Sequence, residues 1–202
     1  MPLPITIAIL AGGQSSRMGT DKAFVQVLGR PLIEDILAQL TGLGAETILI
    51  TNRPEAYAYL GVPLFGDRRP GTGALGGLYT ALACAGQPHA LVVACDMPFV
   101  VRPLLDHLLS LRAEADAIVP RLAGEAEPFR AVYSRACLPA MQAALDAEKR
   151  RVISFLPAVR VRWVDEAELD RFDPRRLSFF NVNTPADLEA ARRLAAAEGD
   201  AP

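Results

Sequence analysis

Short apolar runs alternate with stretches that carry apolar residues at helical spacing, and this alternation restricts the fold more than any other feature of the sequence. Residues 5–10 form an apolar run that ends at two glycines, and residues 32–43 then place Leu and Ile at helical spacing before Gly44. A short run that is apolar throughout is typical of a strand buried on both faces. The alternation predicts a three-layer α/β fold, in which helices cover both faces of a mostly parallel twisted sheet.

The pattern continues along the chain. Strands are expected at residues 5–10, 47–51, 62–65, 90–94, 117–119, 129–133, 159–164 and 179–182. Helices are expected from Pro31 to Gly44 and at residues 75–85, 103–111 and 137–147. A last helix is expected after Thr184, with Thr184 as its cap, Pro185 at its first position and Asp187 at its third. We see no linker and expect a single domain over residues 1–202, with residues 195–202 frayed.

Composition excludes several classes of function. The net charge of −2 offers no basic surface for nucleic acid and no basic helix for a membrane surface. The first residues lack the cationic stretch of a signal peptide. The three cysteines are odd in number and none are in C-x-x-C spacing, which argues against zinc clusters and disulfides and for small buried residues in a reducing compartment. We therefore expect a cytoplasmic protein, and we expect it to be a monomer.

The loop that follows the first apolar run carries the features of a phosphate site. It reads Leu-Ala-Gly-Gly-Gln-Ser-Ser-Arg-Met-Gly-Thr-Asp-Lys from Leu10 to Lys22. Gly12 and Gly13 would let backbone amides approach phosphates closely, and Arg17 and Lys22 add cations. The loop lacks the Gly-Lys-Ser/Thr of a P-loop and the spacing of a dinucleotide fingerprint. A plain surface loop with turn glycines is the alternative.

An aspartate ends the most apolar strand. Asp96 follows residues 90–94 and precedes Met-Pro. A carboxylate in that position could hold Mg²⁺ against nucleotide phosphates. The alternative is that Asp96 caps the helix announced by Pro98 and Pro103.

A second glycine pattern suggests a different class of enzyme. Gly71-Thr-Gly73-Ala-Leu-Gly76 matches G-x-G-x-x-G and precedes a helix, a strand and an acid at Asp96. This is the pattern of a nicotinamide-dependent oxidoreductase. However, residues 66–70 separate the first glycine from the preceding strand, whereas a dinucleotide site needs it directly after the strand. We interpret residues 71–77 as a flexible loop whose backbone can approach a ligand.

Two further groups of residues are candidates for binding. Asn181 and Asn183 alternate on the expected strand 179–182 and would face the same side, where amide oxygens can bind Mg²⁺ or donate and accept hydrogen bonds. Turn chemistry before the last helix is the alternative. The basic run 149–151, which ends in Arg151, either complements a helix dipole or binds a phosphorylated acceptor.

In this order the motifs resemble the molybdenum cofactor guanylyltransferase family, within the glycosyltransferase-A-like nucleotidyltransferases of Rossmann-like fold. The resemblance extends from Ile7 to about Ala190. It rests on the opening motif from Leu10 to Lys22, on Asp96 with Met-Pro, and on Phe-Asn-Val-Asn-Thr-Pro at residues 180–185. The loop at residues 73–77 departs from the family's G-P-L-A-G because Ala74 replaces proline.

The resemblance implies GTP as donor, a molybdopterin-type molybdenum cofactor as acceptor and Mg²⁺ as the metal ion. Residues 1–100 would be the nucleotide-binding half and residues 101–194 the acceptor half. Nucleotide-binding residues would be Leu10, Ala11, Gly12, Gly13, Lys22, Asn52, Asp67 and Asp96. Arg17, Lys22 and Asp96 would be catalytic residues. Asp96 and Asn183 would bind the metal ion. Arg151, Asn181 and Asn183 would bind the acceptor. Proteins that deliver the cofactor are expected as partners.

Three alternatives remain open at this point. A relative could use CTP or a sugar-phosphate acceptor, the G-x-G-x-x-G pattern could belong to an oxidoreductase, and a non-catalytic nucleotide-binding module could carry the same loop.

Overall fold

A computed structural model of the chain describes residues 3–12, 22–27 and 29–199. A single eight-stranded sheet runs through it in the order β3-β2-β1-β4-β7-β5-β6, and β8 pairs with β5. The strands are β1 (Leu3–Leu10), β2 (Gly44–Ile50), β3 (Leu64–Phe65), β4 (His89–Ala94), β5 (Ala117–Leu122), β6 (Glu125–Ala126), β7 (Arg130–Ser134) and β8 (Val161–Val164). The helices are α1 (Leu32–Leu40), α2 (Pro54–Tyr57), α3 (Gly73–Cys84), α4 (Arg102–Ser110), α5 (Leu138–Asp146), α6 (Glu166–Leu169) and α7 (Pro185–Gly199). Short 3-10 turns lie at Lys22–Phe24, Ala58–Leu60, Arg135–Cys137, Val152–Ala158 and Leu177–Phe179.

The sheet is mostly parallel, as expected. β1 pairs in parallel with β2 on one side and with β4 on the other, and β5 pairs in parallel with β8. β7 is antiparallel to both β4 and β5, between which it lies. The reversed strand therefore joins a parallel first half of the sheet to a smaller parallel unit.

Helices cover both faces of the sheet and form two separate apolar cores. Alternate side chains of β1 explain the separation: Ile5, Ile7 and Ile9 lie in the core that contains α1 and α4, whereas Ala8 lies in the core that contains α3 and α5. All four side chains are fully buried. Because β1 is buried on both faces, its sequence is almost entirely apolar, with the buried Thr6 as its one polar residue. Helices on both faces of the sheet confirm the three-layer α/β prediction.

Several predicted elements differ from the structure at their ends. The first helix ends at Leu40, and not at Gly44, because Gly42 takes a positive φ of 78° and turns the chain. Gly44 instead begins β2, where a Cβ would lie 2.6 Å from the Ile5 carbonyl oxygen. The last helix begins as predicted, with the Thr184 hydroxyl accepting from the Asp187 amide. It continues to Gly199, past Leu194, where we expected fraying to begin.

Two predictions of local structure are wrong. Residues 179–182 do not form a strand: Phe179 ends a 3-10 turn that begins at Leu177, and Val182 is buried against α7 in a third apolar cluster. The loop expected at residues 71–77 is also shorter, because α3 begins at Gly73. Gly71 and Gly73 take positive φ values of 80° and 67°, so the turn that starts the helix uses these two glycines.

The two other glycines of this segment have opposite surroundings, which gives a test of the packing of α3. A Cβ on Gly76 would lie 2.1 Å from the Thr72 hydroxyl oxygen and 3.0 Å from the Arg69 carbonyl oxygen, whereas a Cβ on Gly77 would contact nothing within 4 Å. We expect Gly76→Ala to lower the free energy of unfolding by about 1–3 kcal/mol through overpacking. Gly77→Ala should raise it by about 0.5–1 kcal/mol, because alanine is the better helix former. Urea unfolding of both variants measures the difference, and an equal effect would contradict this account of Gly76.

Candidate active site

The carboxyl ends of β1, β2 and β4 meet at one edge of the sheet. Leu10 at the end of β1 pairs in register with Ile50 and Ala94. Two hydrogen bonds continue the pairing past the strand ends: the Ala11 amide donates to the Ile50 carbonyl oxygen at 2.9 Å, and the Cys95 amide donates to the Leu10 carbonyl oxygen at 3.0 Å. The chain moves from β1 outward to β2 and then returns to place β4 on the other side of β1. This edge is therefore a topological switch point, where open α/β sheets bind ligands.

The first glycine of the expected phosphate loop lies at this edge. Ala11 is buried and Gly12 is exposed, and the nearest atom to a Cβ built on Gly12 would be the Ile50 carbonyl oxygen at 3.9 Å. The backbone here is thus open to a molecule above the edge. Gly13 and Arg17 lie outside the described residues, and so does the side chain of Lys22, whose backbone opens a 3-10 turn.

Asn52 and Asp67, which follow neighbouring strands, are in direct contact. The Asn52 side-chain oxygen accepts from the Asp67 amide at 2.8 Å. The Asp67 carboxylate oxygen Oδ1 accepts from the Arg69 amide and from the hydroxyl of Thr80 on α3. Thr80 is fully buried, so Asp67 is anchored to the protein through one oxygen. The structure brings together these two residues, which are fifteen positions apart in sequence.

Asp96 lies in the turn directly after β4. α4 begins at Arg102 with Val101 as its N-cap, and no side chain caps it, so the alternative that Asp96 caps this helix is wrong. The Asp96 carbonyl oxygen accepts from the Val182 amide at 2.8 Å. This bond joins the end of β4 to the late segment at residues 180–185. Asp96 and Asn183, predicted from separate motifs, are therefore brought to neighbouring positions of the backbone.

The two asparagines hold the turn before α7. The Asn181 side-chain amide donates to the Phe179 carbonyl oxygen at 3.1 Å. The backbone amides of Asn183 and Thr184 both donate to the Asp187 carboxylate. The expected alternation along a strand is thus replaced by a turn and a helix cap, because the Asp187 carboxylate satisfies the backbone amides of the two residues before α7. Asn181 is half-buried and Asn183 is exposed.

Arg130 lies beneath this junction, and our sequence analysis did not single it out. It is fully buried at the start of β7. Its guanidinium donates to the carbonyl oxygens of Met97, Phe99 and Ser178 at 3.1–3.2 Å. One side chain therefore connects β7, the turn after Asp96 and the 3-10 turn at Leu177–Phe179. The sequence signal was an arginine inside the otherwise apolar stretch Phe-Arg-Ala-Val-Tyr.

Charges near Arg130 keep it ionised. Burial lowers the pKa of its guanidinium to about 10, while the carboxylates of Asp173 and Asp96 act to raise it. The group is therefore a buried cation at neutral pH. Asp173 is also buried, and its carboxylate accepts from the Leu177 and Ser178 amides. The turns around Asp96 are thus held by a charged, hydrogen-bonded centre.

The basic run lies beside the second glycine segment. Lys149 and Arg150 line a cleft of about 280 Å³ together with Gly71 and Thr72. Arg151 does not line that cleft; it is exposed at the N-cap of the 3-10 turn Val152–Ala158. The structure therefore brings the run to the turn before α3, with Arg151 at its outer end.

The part of the chain that the structure describes contains neither a metal-binding cluster nor a membrane-spanning helix. Among residues 3–12, 22–27 and 29–199, no group of three or more His, Cys, Asp or Glu side chains could hold a metal ion. Within the same residues, no helix is both long and apolar enough to cross a membrane.

Comparisons with known proteins agree on one kind of enzyme. The family model of the MobA-like NTP transferase domain matches residues 7–161. A probable molybdenum cofactor guanylyltransferase of Pelotomaculum thermopropionicum is 39% identical over 193 residues, which cover 96% of this chain and 94% of that protein. A molybdenum cofactor guanylyltransferase of Desulfosudis oleivorans is 33% identical, with 93% of this chain and 94% of that protein covered.

Solved structures of nucleotidyltransferases share this fold. The molybdopterin-guanine dinucleotide biosynthesis protein A of Archaeoglobus fulgidus superposes with a TM-score of 0.83 at 28% identity, covering 95% of this chain and 99% of that one. The 2-C-methyl-D-erythritol 4-phosphate cytidylyltransferase of Thermus thermophilus shares the fold, with a TM-score of 0.71 at 24% identity over 97% of this chain and all of that one.

Fold and sheet edge together define a nucleotidyltransferase of Rossmann-like fold. Within that class, the chain belongs to the MobA-like NTP transferase family. The oxidoreductase alternative is wrong: the chain belongs to a nucleotidyltransferase family, and β3 ends at Phe65, well before Gly71, the first glycine of the G-x-G-x-x-G pattern.

The role of Arg130 as the internal tie predicts a large effect on stability. Arg130→Met fills a similar volume but leaves three buried carbonyl oxygens without their donor and two carboxylates without a buried cation. We expect the free energy of unfolding to fall by about 3–5 kcal/mol. Arg102→Met, which removes an exposed arginine of α4, should cost less than about 1 kcal/mol. Urea unfolding of both variants measures this, and similar midpoints would contradict the assignment.

Proposed function

We propose that this protein transfers GMP from GTP to a molybdopterin-type molybdenum cofactor, giving the guanine dinucleotide form of the cofactor and pyrophosphate. The observation that carries the proposal is the hydrogen bond from the Val182 amide to the Asp96 carbonyl oxygen. It joins the strand-end aspartate of the nucleotide half to the Phe-Asn-Val-Asn-Thr-Pro segment, so donor and acceptor residues share one site. The names of the relatives support the choice of guanine and of the acceptor.

In this proposal the donor lies along the edge formed by β1, β2 and β3. The backbone of Leu10, Ala11, Gly12 and Gly13 contacts GTP, and Lys22 and Arg17 neutralise its phosphates. Asn52 and Asp67 contact the base. Within the described part of the chain, the hydrogen bonds of the Asp67 carboxylate use Oδ1. Its Oδ2 is thus available to accept from the N1–H and amino group of guanine, which cytosine and adenine do not present together.

The chemistry requires little from the protein beyond placement. An oxygen of the acceptor's terminal phosphate attacks the α-phosphorus in line, a new P–O bond forms, and the bond to pyrophosphate breaks. The attacking phosphate is already ionised near neutral pH, so no general base is needed. The protein holds the two reactants in line and offsets the charge that develops on pyrophosphate. Lys22, Arg17 and Asp96 are the residues proposed for that task.

The donors at the site fit a magnesium ion. Asp96 offers a carboxylate and Asn183 an amide oxygen, and the Val182–Asp96 bond keeps their backbones adjacent. Mg²⁺ prefers oxygen ligands and keeps several waters, so two protein ligands suffice. Bound there, the ion would supply positive charge against the phosphates of the donor. We propose Asp96 and Asn183 as its ligands, and Asn181 as the residue nearest the acceptor.

The same proposal covers the protein's partners and setting. We propose a monomeric enzyme of the cytoplasm that exchanges molybdopterin with cofactor-delivery proteins. A non-catalytic GTP-binding carrier is the competing possibility, and it would bind GTP without releasing pyrophosphate.

Base selectivity tests the function directly. With molybdopterin supplied, we expect pyrophosphate release from GTP at least about tenfold faster than from ATP, CTP or UTP. Asp67→Asn should reduce that preference, because the amide oxygen would be held by the Arg69 amide and the Thr80 hydroxyl, which turns the amide NH₂, a donor, toward the guanine donors. Asp106→Asn, which changes an exposed carboxylate on α4, is the matched control. Equal rates with CTP would instead indicate a cytidylyltransferase, and no release with any nucleotide would favour the carrier.

The proposed metal site predicts a split between catalysis and binding. Asp96→Asn removes one charge from the ion's surroundings, and we expect kcat to fall by about 10²–10³ while the Kd for GTP changes by less than about tenfold. The Mg²⁺ concentration for half-maximal activity should rise. Asp106→Asn on the exposed face of α4 should change neither quantity. An unaltered Mg²⁺ dependence in Asp96→Asn would rule out this ligand.

Arg151 is the proposed phosphate contact on the acceptor side. We expect Arg151→Ala to raise the KM for molybdopterin by about tenfold through loss of a charge-assisted bond, and to leave the Kd for GTP unchanged. Arg193→Ala, an exposed arginine on α7, serves as control. A weaker affinity for GTP with a normal KM for the acceptor would place Arg151 on the donor side instead.

A further inference from the structure

A cavity of about 490 Å³ opens between the β5–β6 hairpin, β8 and the 3-10 turn Val152–Ala158. Its walls are mainly apolar, from Ala126, Ile153, Leu156 and Val161, and they include the indole of Trp163. Arg121 and Glu125 of the hairpin are its charged lining residues. None of these side chains belongs to the site proposed for GTP.

Strand register places the cavity level with Asp96 and to one side of it. On β7, Arg130 pairs with Val93 of β4, and Val132 pairs with Ile118 of β5. If the β5–β7 pairing is followed two residues further, Pro120 lies opposite Arg130 of β7. Pro120 is therefore level with Val93 of β4, close to the active-site edge. Neighbouring strands lie about 4.8 Å apart, so β5 is roughly 10 Å from β4 and β8 roughly 14 Å. A molecule whose phosphate lies at Asp96 can thus reach the cavity with its other end.

The polar groups of the cavity suit a flat heterocycle. The Arg121 guanidinium carbon lies 4.0 Å from the centre of the Trp163 ring, which makes a cation–π contact. Its Nε–H is buried and has no hydrogen-bond partner within the described residues. A buried donor without an acceptor is unfavourable, so an acceptor on a bound ring would satisfy it. The Glu125 carboxylate can accept from ring N–H and amino groups at the same time.

We propose that this cavity binds the pterin ring system of the acceptor. The ring lies between the apolar wall and the Trp163 side, the Arg121 Nε–H donates to a ring oxygen or nitrogen, and Glu125 accepts from the aminopyrimidine edge. The choice of a pterin as the bound ring rests on the proposed function. The inference goes beyond that function in assigning Arg121, Glu125 and Trp163, none of which the motif analysis selected.

The cavity contains its own optical probe, because Trp163 is the only tryptophan of the chain. Molybdopterin is titrated anaerobically into the protein without GTP, and tryptophan emission is followed after correction with N-acetyltryptophanamide for absorbance by the pterin. We expect saturable quenching that inorganic phosphate and GTP do not produce. Quenching by GTP alone, or no quenching by molybdopterin at concentrations that saturate turnover, would overturn the proposal.

Three variants locate the ring. Arg121→Ala should weaken molybdopterin binding by about tenfold, and Ala126→Leu, which narrows the cavity while keeping every polar group, should weaken it at least as much. Arg102→Ala on α4 is the matched control and should bind normally. Unchanged affinity in both cavity variants would contradict the assignment.

The experiment separates this inference from the proposed function. Saturable quenching without pyrophosphate release from GTP would keep the pterin site and refute guanylyl transfer. Guanylyl transfer with an unchanged KM for molybdopterin in Arg121→Ala and Ala126→Leu would keep the function and refute the pterin site.

Discussion

The parallel pairing of β1 with both β2 and β4 is the constraint on which the rest of the structure depends. Leu10, Ile50 and Ala94 are the last residues of β1, β2 and β4, and Leu10 pairs in register with the other two. The residues after those strands must therefore emerge together, whatever their separation in sequence. Burial on both faces fixes the register further, because a shift of one residue would exchange Ile7 and Ile9 for Thr6 and Ala8 in the larger core.

A second centre holds the later part of the chain against that edge. The turn after Asp96 is joined to the segment at residues 178–185 by the Val182–Asp96 backbone bond and by the edge-to-face contact of the Phe99 and Phe180 rings. Arg130 adds a third link, because it donates to Met97 and Phe99 on one side and to Ser178 on the other. A buried arginine can donate to several carbonyl oxygens at once, and its charge is balanced by Asp173 and Asp96. Site geometry here thus depends on a polar centre in which Nε and Nη2 of Arg130 donate to three carbonyl oxygens, while the buried Nη1 has no hydrogen-bond partner within the described residues.

The sequence was sufficient for the parts of the fold that have a strong local pattern. The apolar strands, the cap of the last helix at Thr184 and the strand-end position of Asp96 could all be predicted, because periodicity and capping act over a few residues. The contact between Asn52 and Asp67 could be expected only as a shared edge, since the bond itself depends on the α3 packing of Thr80.

Other features depend on contacts that no local pattern records. Val182 looked like part of a strand because it is apolar between polar neighbours, but its side chain fills a cluster beneath α7. Gly73 looked like part of a loop because glycine disfavours helices, yet it begins α3. Arg130 was missed because a charged residue in an apolar strand has meaning only when the carbonyl oxygens it meets, from residues far along the chain, are known.

The reversed strand β7 has a consequence for how such enzymes can diversify. It enters the sheet at the active-site edge, leaves at the opposite one and forms the seam between β4 and β5, although the chain itself reaches β5 first, through α4. Insertions in the β5–β6 hairpin or in the segment before β8 lie beyond that seam, where they leave the pairing of β1, β2 and β4 untouched. In the proposed function, such insertions would remodel the acceptor pocket and leave the GTP site as it is.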